Sequence, residues 1–524
     1  MTDYGEQERP NGLARCCPCG GHERAAEPGM TRRGFLGGAA LAGMALRGLS
    51  WPALSAVAAD AEPFPERRPL VVKPILIHKV CTRRLQTSWR IWGGIQTEQD
   101  AQQEVARIQN ELGALRAAAD FPVRFLPAAA IRDAKELDAA EDLASADVLI
   151  LYAAGDYWFS GFADAIARLG KDAIVFSRFM SGPFYSSCTT VSPCLLRGGS
   201  NDQLAVQGVD ELDVVVDSQE ELLWRLRALC GLRNTIGSRI VAVGGPGGWG
   251  IGPQAPALAV DRWKLDIRTV EYKELGELIK AARADKAAVE RARDRAAEYL
   301  KLPGTTLETD KPFVENAFLL EQVFRGLMRE ADCRAITVHG CMGTIMPIAE
   351  TSACLTLSVL NDAGYMAFCE SDFVVIPAGI LAANIAGRPM FLNDPCYPQH
   401  GVIALAHCTA PRMMDGKTRE PARIVTHYES DYGAAPKVEM HKGQKVTNLI
   451  PDFQAKCLAG FVGEIVDAPF LPICRSQIVV RFACESTFLA RQMRGYHWIT
   501  IYGDYLREVE YAVKRTKIAF ENLG

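Results

Sequence analysis

Short hydrophobic runs of β type alternate with longer amphipathic segments along the chain from about residue 69. In the first stretch the strand-like runs are 70–78, 146–152, 173–177 and 212–216, and the helix-like segments are 98–119, 157–168 and 219–229. Such alternation is typical of a parallel sheet with helices packed on its faces. It predicts a doubly wound, Rossmann-like α/β domain over residues 62–236.

The same alternation begins again near residue 237. The pattern consists of a strand at 238–244, a charged helical segment at 272–300, a second helix at 313–330 and a strand at 334–338. By the same reasoning, we expect a second doubly wound α/β domain over residues 237–387.

After residue 388 the pattern changes to short β runs separated by turns. These runs are 437–449, 456–466 and 477–482, and a helical pattern at 505–522 closes the chain. Short alternating strands without intervening helices indicate a β-rich unit. We therefore predict a smaller, barrel-like domain over residues 388–524 with a terminal helix.

Composition and charge narrow the class of protein. The chain has 524 residues, of which 48% are hydrophobic and 23% charged, with a formal net charge of -4. These values are typical of a globular protein with a sizeable core. The charges are interspersed, so the sequence offers no basic stripe for a phosphate backbone, and we expect no nucleic-acid partner.

The first 61 residues have the character of a targeting segment. Arg32 and Arg33 precede an Ala/Gly-rich apolar stretch, and small residues suited to signal cleavage follow at 56–61. This resembles a twin-arginine export signal, which implies a periplasmic or extracellular protein without a stable membrane span after cleavage. An uncleaved anchor is the alternative, but glycines and Arg47 disfavour it. Translation could start at Met1 or Met30.

The cysteines do not suggest a disulfide framework. Three of the sixteen lie in the leader, as Cys16, Cys17 and Cys19, and are excluded from the fold with residues 1–61. The others have irregular spacing, and several stand in apolar contexts. We expect them to be buried thiols.

A glycine-rich loop at 245–250 follows the predicted strand 238–244 and has the spelling G-x-G-x-x-G. A dinucleotide loop must lead directly into a helix whose amide groups face the pyrophosphate. Here Pro253 and Pro256 interrupt the segment that would become this helix. We therefore expect a substrate-side or structural turn and no nucleotide.

Glu370 and Asp394 bracket an apolar segment in which charge is unexpected. We predict that Ser371 or Asp372 caps a helix that runs through Asn384 and is ended by Gly387, and that a short strand follows at 389–392. This places Glu370 at a helix start and Asp394 just past a strand, where both could face one crevice. The alternative is that they are helix-dipole complements or solvated loop residues.

The strings 354–372 and 388–394 resemble the metal-site region of the L-fucose isomerase and L-arabinose isomerase superfamily. The resemblance implies that Glu370, Asp394 and His497 hold one divalent metal. It also implies a homo-oligomer, trimer or hexamer, with sites near subunit contacts. Trp498 departs from the family pattern, which has Gly after the ligand histidine, and this puts the substrate in question.

Two carboxylates and one imidazole suit Mn²⁺, with Mg²⁺ or Co²⁺ as alternatives, and leave positions for two sugar oxygens. Glu370 and Asp394 would also move the proton between C1 and C2 through a cis-enediolate. The predicted function is aldose–ketose isomerisation of a pentose or 6-deoxyhexose. The alternatives are an exported sugar-binding protein that keeps the metal without turnover, and a related epimerase or lyase.

Four further residues are candidate substrate contacts. They are His407, Arg412, Trp498 and Trp92. His407 could also be an extra metal ligand or a hydrogen-bonded core histidine, and Arg412 could pair with an acidic neighbour. Trp92 could stack on a sugar or pack in the core. His339 is expected near the crevice, and His427 is expected to be structural.

Overall fold

The fold was analysed in a computed structural model that describes residues 66–140, 142–155, 159–197 and 209–524. The leader, its cysteines and the export signal predicted at 1–61 lie outside the described residues, as does Tyr157 at the start of the predicted helical segment 157–168.

The first unit is a parallel sheet flanked by helices. Its strands are β1 (Leu70–Ile77), β2 (Val123–Phe125), β3 (Ala129–Ile131), β4 (Val148–Ala153), β5 (Asp172–Ser177) and β6 (Val214–Val216). Its helices are α1 (Glu98–Ala118), α2 (Ala134–Asp138), α3 (Phe159–Leu169), α4 (Ser187–Thr190) and α5 (Gln219–Thr235). The strand order is β2-β1-β4-β5-β6, with β3 also on β1. The predicted strands and helices of this unit are confirmed, although α5 continues beyond the predicted end.

The second unit is again parallel. Its strands are β7 (Arg239–Val243), β8 (Asp266–Val270), β9 (Thr305–Leu307), β10 (Ala335–Val338) and β11 (Met366–Phe368). Its helices are α6 (Gln254–Trp263), α7 (Tyr272–Ala284), α8 (Lys286–Leu300), α9 (Lys311–Glu330), α10 (Met346–Ala349), α11 (Cys354–Asp362) and α12 (Ile376–Ala386). The sheet order is β11-β10-β7-β8, and β9 instead pairs with a later strand.

The segment 272–300 is two helices, not the one that the sequence predicted. Asp285 has an extended backbone that ends α7, and its carboxylate accepts a hydrogen bond from the Ala287 N–H to cap α8. A side chain that caps the next helix offers the backbone an alternative to continuing the first one.

The third unit contains a closed barrel. Its strands are β12 (Phe391–Pro395), β13 (Val402–His407), β14 (Ala422–Val425), β15 (Ala435–Val438), β16 (Lys445–Pro451), β17 (Cys457–Asp467), β18 (Ser476–Arg481), β19 (Trp498–Tyr502) and β20 (Ala519–Asn522), and its helices are α13 (Ser486–Arg491) and α14 (Leu506–Val513). Six strands in the order β16-β19-β12-β13-β18-β17 close because β17 also pairs with β16.

Two element predictions in this unit are wrong. The run 437–449 is divided between β15 and β16 by a turn. The terminal helix ends at Val513, because Lys517 adopts a left-handed backbone and the chain then extends as β20 beside β17. Pairing with a barrel strand outweighs the helical pattern of the sequence there.

Helix α12 connects the three units. All its residues are buried, and it packs on α5 of the first unit, β11 of the second and β19 of the barrel. Gly379 allows close approach, because a Cβ there would lie 2.4 Å from Phe368 and 3.0 Å from Ile499. The turn just before α12 is therefore fixed between the second sheet and the barrel.

Within the described part of the chain, no single helix has the length and apolar character needed to cross a membrane, although the bent pair Cys341–Ala349 and Cys354–Asp362 meets these criteria together.

We expect Gly231→Ala to destabilise the fold at the contact of α5 with α12. The new Cβ would lie 2.3 Å from Ile385 Cγ1 and 2.9 Å from Ile385 Cα, and backbone atoms cannot move away as a flexible side chain can. The expected loss is about 1–3 kcal/mol of unfolding free energy, measured by urea denaturation.

The matched control is Gly113→Ala in α1, where nothing lies within 4 Å of the added Cβ. That change should be neutral or stabilise by roughly 0.5–1 kcal/mol. Equal stability of the two variants would show that α5 and α12 do not pack this closely.

Candidate metal centre

Glu370 lies on a tight turn between β11 and α12. Glu370 and Ser371 both have left-handed backbones, with φ of 65° and 44°, which costs non-glycine residues of order 1–3 kcal/mol each. The turn is held by hydrogen bonds from Gly247 N to Ser371 O (3.2 Å) and from Phe373 N to Gly247 O (3.1 Å). The predicted helix begins later than expected, at Ile376 with Val375 as its cap, because a turn that includes the left-handed Ser371 precedes it.

Asp394 and His497 come from neighbouring barrel strands. Asp394 lies within β12, paired with Ala406 of β13, so the prediction that it follows a strand end is wrong. His497 immediately precedes β19, whose Trp498 pairs with Asn393 of β12. Antiparallel neighbours at this register bring the carboxylate and the imidazole side by side.

Glu370, Asp394, His407 and His497 lie close together. His497 Nε2 lies 3.2 Å from Asp394 Oδ1 and 3.4 Å from Glu370 Oε2. His407 Nε2 lies 3.7 Å from Glu370 Oε1. Donor atoms of Asp394, His407 and His497 lie within 4.8 Å of one another, an arrangement that could hold a metal ion. The residues predicted as ligands are thus brought together, and His407 joins them.

The donor chemistry fits a cation. His407 Nε2 is buried and has no hydrogen-bond partner, and a buried polar atom left unpaired costs about 1–3 kcal/mol. Two carboxylates with two imidazoles are a donor set for Mn²⁺, Co²⁺ or Zn²⁺ more than for Mg²⁺.

Each imidazole is oriented through its other nitrogen. His497 Nδ1 lies 2.8 Å from Asp372 Oδ2, and because a carboxylate accepts, Nδ1 carries the proton. His407 Nδ1 lies 3.0 Å from Thr409 Oγ1. Both Nε2 atoms therefore face the carboxylates, as in metal sites where a second contact fixes the ring.

Asp372 is the site residue that sequence reasoning missed, because it was considered as a helix cap. It is fully buried. Its Oδ1 accepts hydrogen bonds from the backbone N–H groups of Trp249 and Val374, both at 3.1 Å, while Oδ2 holds His497. The available signal was an acid two residues after Glu370 inside an apolar run.

The glycine-rich loop forms part of the site. Gly247 pairs with Asp372, and the Trp249 ring lies edge-on to His497 with centroids 5.9 Å apart. The prediction that prolines prevent a helix is wrong, since α6 begins at Gln254 with Pro253 as its cap and proline is tolerated in a first turn. The loop amides of 247 and 249 bind the Glu370 turn, which supports a substrate-side turn.

A cavity of about 540 Å³ opens onto Glu370 and His407. One wall carries Trp249, Met342 and Met346, and the rest is rich in thiols, from Cys341, Cys354, Cys369, Cys408 and Cys474. His339 lines the cavity as expected. His427 lines it too, although the sequence favoured a structural role. These cysteines are free thiols, as predicted, although Cys341 and Cys474 are only partly buried.

The structure does not bring three predicted substrate contacts to this cavity. Trp498 is fully buried and packs against Phe461 at 6.1 Å between ring centroids. Successive residues of a strand point to opposite faces of a sheet, so Trp498 points away from the face that His497 presents to the site. Arg412 is fully buried, and its Nε donates to Glu420 O at 2.8 Å. Trp92 is 72% exposed on a loop of the first unit.

The ionisable groups strongly shift one another. Burial raises the pKa of Asp394, and His497 only partly offsets it. Burial also opposes ionisation of Glu370, but His407 and His497 outweigh it and hold its pKa well below the usual range. Burial disfavours protonated imidazole, yet the adjacent carboxylates raise the pKa of His407 and raise that of His497 well above its usual value. A cation would take the place of these protons.

The chain matches no protein-family model and no curated protein. The case for a function therefore rests on the geometry of the site.

We expect Asp372→Asn to weaken metal binding by about 10–100-fold, because an amide holds the His497 ring less firmly than a carboxylate. The measurement is calorimetric titration of the metal-free protein with Mn²⁺. Asp362→Asn is the matched control, since Asp362 is also a buried acid that accepts two backbone N–H bonds, from Arg412 and Met413. Equal affinity in the two variants would contradict the role of Asp372.

Metal affinity should rise with pH. Because the pKa values of His407 and His497 are raised, both rings stay protonated to higher pH than an ordinary histidine of pKa about 6.5. Binding requires neutral imidazole, so the affinity falls as pH is lowered through this range and binding releases protons. Titrations in buffers of different ionisation enthalpy measure the release. A constant affinity between about pH 6 and 8 would show that neither ring is a ligand.

Proposed function

We propose that this protein is a metal-dependent aldose–ketose isomerase acting on a pentose or 6-deoxyhexose. The observation that carries the proposal is the convergence of Glu370, Asp394 and His497 beside a cavity large enough for a monosaccharide. Two carboxylates and an oriented imidazole next to a cavity are the minimum for moving a proton between neighbouring carbons.

Glu370, Asp394, His407 and His497 would hold the ion, which we propose to be Mn²⁺, with Co²⁺ or Mg²⁺ as alternatives. When bound, it would polarise a carbonyl oxygen and offset negative charge on two adjacent sugar oxygens. Four protein donors leave two positions of an octahedral shell, which matches a pair of oxygens on C1 and C2.

Glu370 and Asp394 have different places in this scheme. Both side chains are 23% exposed, but Glu370 lines the cavity and Asp394 does not. Glu370 is therefore the carboxylate that reaches the substrate and moves its proton between C1 and C2. Asp394, the second carboxylate of the predicted catalytic pair, would supply negative charge beside His497 and the bound ion.

The cavity wall bears on which sugar would bind. Among the described residues that line it, none is Arg, Lys, Asn or Gln. Trp249 offers an aromatic face, and Met342 and Met346 offer apolar surface. Apolar surface of this kind suits the methyl group of a 6-deoxyhexose better than a further hydroxyl, which would lose hydrogen bonds to water against it.

The remaining parts of the proposal concern context. Two parallel sheets followed by a closed barrel support a pair of doubly wound, Rossmann-like domains of the L-fucose isomerase and L-arabinose isomerase superfamily. With that membership we propose a homo-oligomer, trimer or hexamer. The sequence of the leader supports export by the twin-arginine pathway to the periplasm or beyond.

Turnover is tested with purified protein, Mn²⁺ and a panel of aldopentoses and 6-deoxyaldohexoses, with ketose formation as the measurement. We expect the deoxyhexoses to react faster and Glu370→Gln to lower kcat/KM by about 10²–10⁴-fold, the usual contribution of a proton-transfer group.

The control for this variant is Glu420→Gln, a buried carboxylate in the loop before β14 that accepts hydrogen bonds from Tyr502 Oη and the His441 N–H and does not line the cavity. It should keep the wild-type rate. Tight sugar binding without product would favour the binding-protein alternative. Product of a different reaction from the same panel would favour an epimerase or lyase.

A further inference from the structure

The thiol of Cys369 lies beside the proposed metal centre. Cys369 immediately follows the last residue of β11 and immediately precedes Glu370, and it is 8% exposed. Its sulfur, a Glu370 oxygen and a His407 nitrogen lie within 4.8 Å of one another. These three donors form a second group that could hold an ion, adjacent to the group of Asp394, His407 and His497.

The two groups share one nitrogen. His407 Nδ1 is engaged with Thr409 Oγ1, so Nε2 alone is available, and it is buried without a hydrogen-bond partner. An imidazole nitrogen binds one metal ion at a time. The two positions are therefore alternatives that compete for His407, not the halves of a binuclear site.

The other cavity thiols have different contacts. Cys341 Sγ accepts the Ala353 N–H at 3.4 Å, and Cys408 is hydrogen-bonded to both Cys354 and Cys474. Cys369 is the member of the thiol wall that stands with a carboxylate and an imidazole. Its position, and not the number of cysteines, singles it out.

We propose that Cys369, Glu370 and His407 form a second metal position that binds a thiophilic divalent ion such as Zn²⁺. Thiolate sulfur favours Zn²⁺ over Mn²⁺ and Mg²⁺, whereas the position with Asp394 and His497 offers oxygen and nitrogen donors that serve harder ions. Occupation of the thiol position takes His407 and Glu370 from the other. The centre thus selects between ions by the donors that join Glu370 and His407, which are either the Cys369 sulfur or the Asp394 carboxylate with His497.

This inference rests on the proposed metal centre but not on turnover, so its test reads metal binding. The reduced, metal-free full chain is titrated with Co²⁺, whose thiolate charge-transfer absorption in the near ultraviolet reports a sulfur ligand. Mn²⁺ binding is followed separately by electron paramagnetic resonance.

We expect the wild type to show the thiolate band. Cys369→Ser should lose it and should bind Zn²⁺ more weakly by about tenfold or more, while still binding Mn²⁺. The matched control, Cys341→Ser in the same cavity wall, should keep the band. Asp394→Asn should keep the band and lose Mn²⁺ affinity, which also covers the case in which Cys369→Ser fails to fold.

Because Co²⁺ can also bind the position with Asp394 and His497, the second position is overturned by absence of the band in both the wild type and Asp394→Asn, or by its persistence in Cys369→Ser. Either outcome leaves the isomerase proposal intact. A band that disappears in Cys341→Ser would overturn the second position as well and assign the sulfur ligand elsewhere on the wall. If the wild type binds no Mn²⁺ at all, this result would instead refute the metal centre on which both proposals rest.

Discussion

The buried carboxylate of Asp372 is the contact on which the candidate site depends. One oxygen accepts a hydrogen bond from the His497 ring, and the other accepts hydrogen bonds from the backbone N–H groups of Trp249 and Val374. It therefore joins the turn before α12, the glycine-rich loop after β7 and the barrel residue before β19. Carboxylate hydrogen bonds to backbone N–H and to imidazole are among the stronger ones in proteins, and desolvation makes their loss more costly.

The site also combines strained backbone conformations with buried charged groups, both of which are unfavourable for folding. Two successive residues, Glu370 and Ser371, have left-handed backbones, and the Glu370 carboxylate lies beside the imidazoles of His407 and His497. Charges and strain of this kind persist when the surrounding structure over-determines them, and they cluster at functional sites. Here the surrounding structure is α12 and the Gly247 hydrogen bonds, which leave the turn no other conformation.

The sequence predicted the alternation of strands and helices well, because buried parallel strands and amphipathic helices carry strong periodic signals. It failed where one residue outweighed the pattern, as Asp285 does between α7 and α8 and Lys517 before β20. A family resemblance named Glu370, Asp394 and His497 as candidate ligands, and these side chains do lie together. The reason given for Asp394 was incorrect, since it lies within a barrel strand. Asp372 and the loop at 247–249 could not be assigned, because their role depends on contacts between distant segments.

The assembly of the site from separate units couples ion binding to the docking of those units. Glu370 and Asp372 belong to the turn after β11, whereas Asp394, His407 and His497 belong to barrel strands or their ends. The neighbouring carboxylates raise the pKa of both imidazoles, which favours protonated rings in the metal-free protein. An ion bound by donors from both units stabilises their contact by its binding free energy, since only the docked arrangement presents all the donors. The barrel and the second sheet are thus held together by α12 packing at one place and by the charge balance of the centre at another.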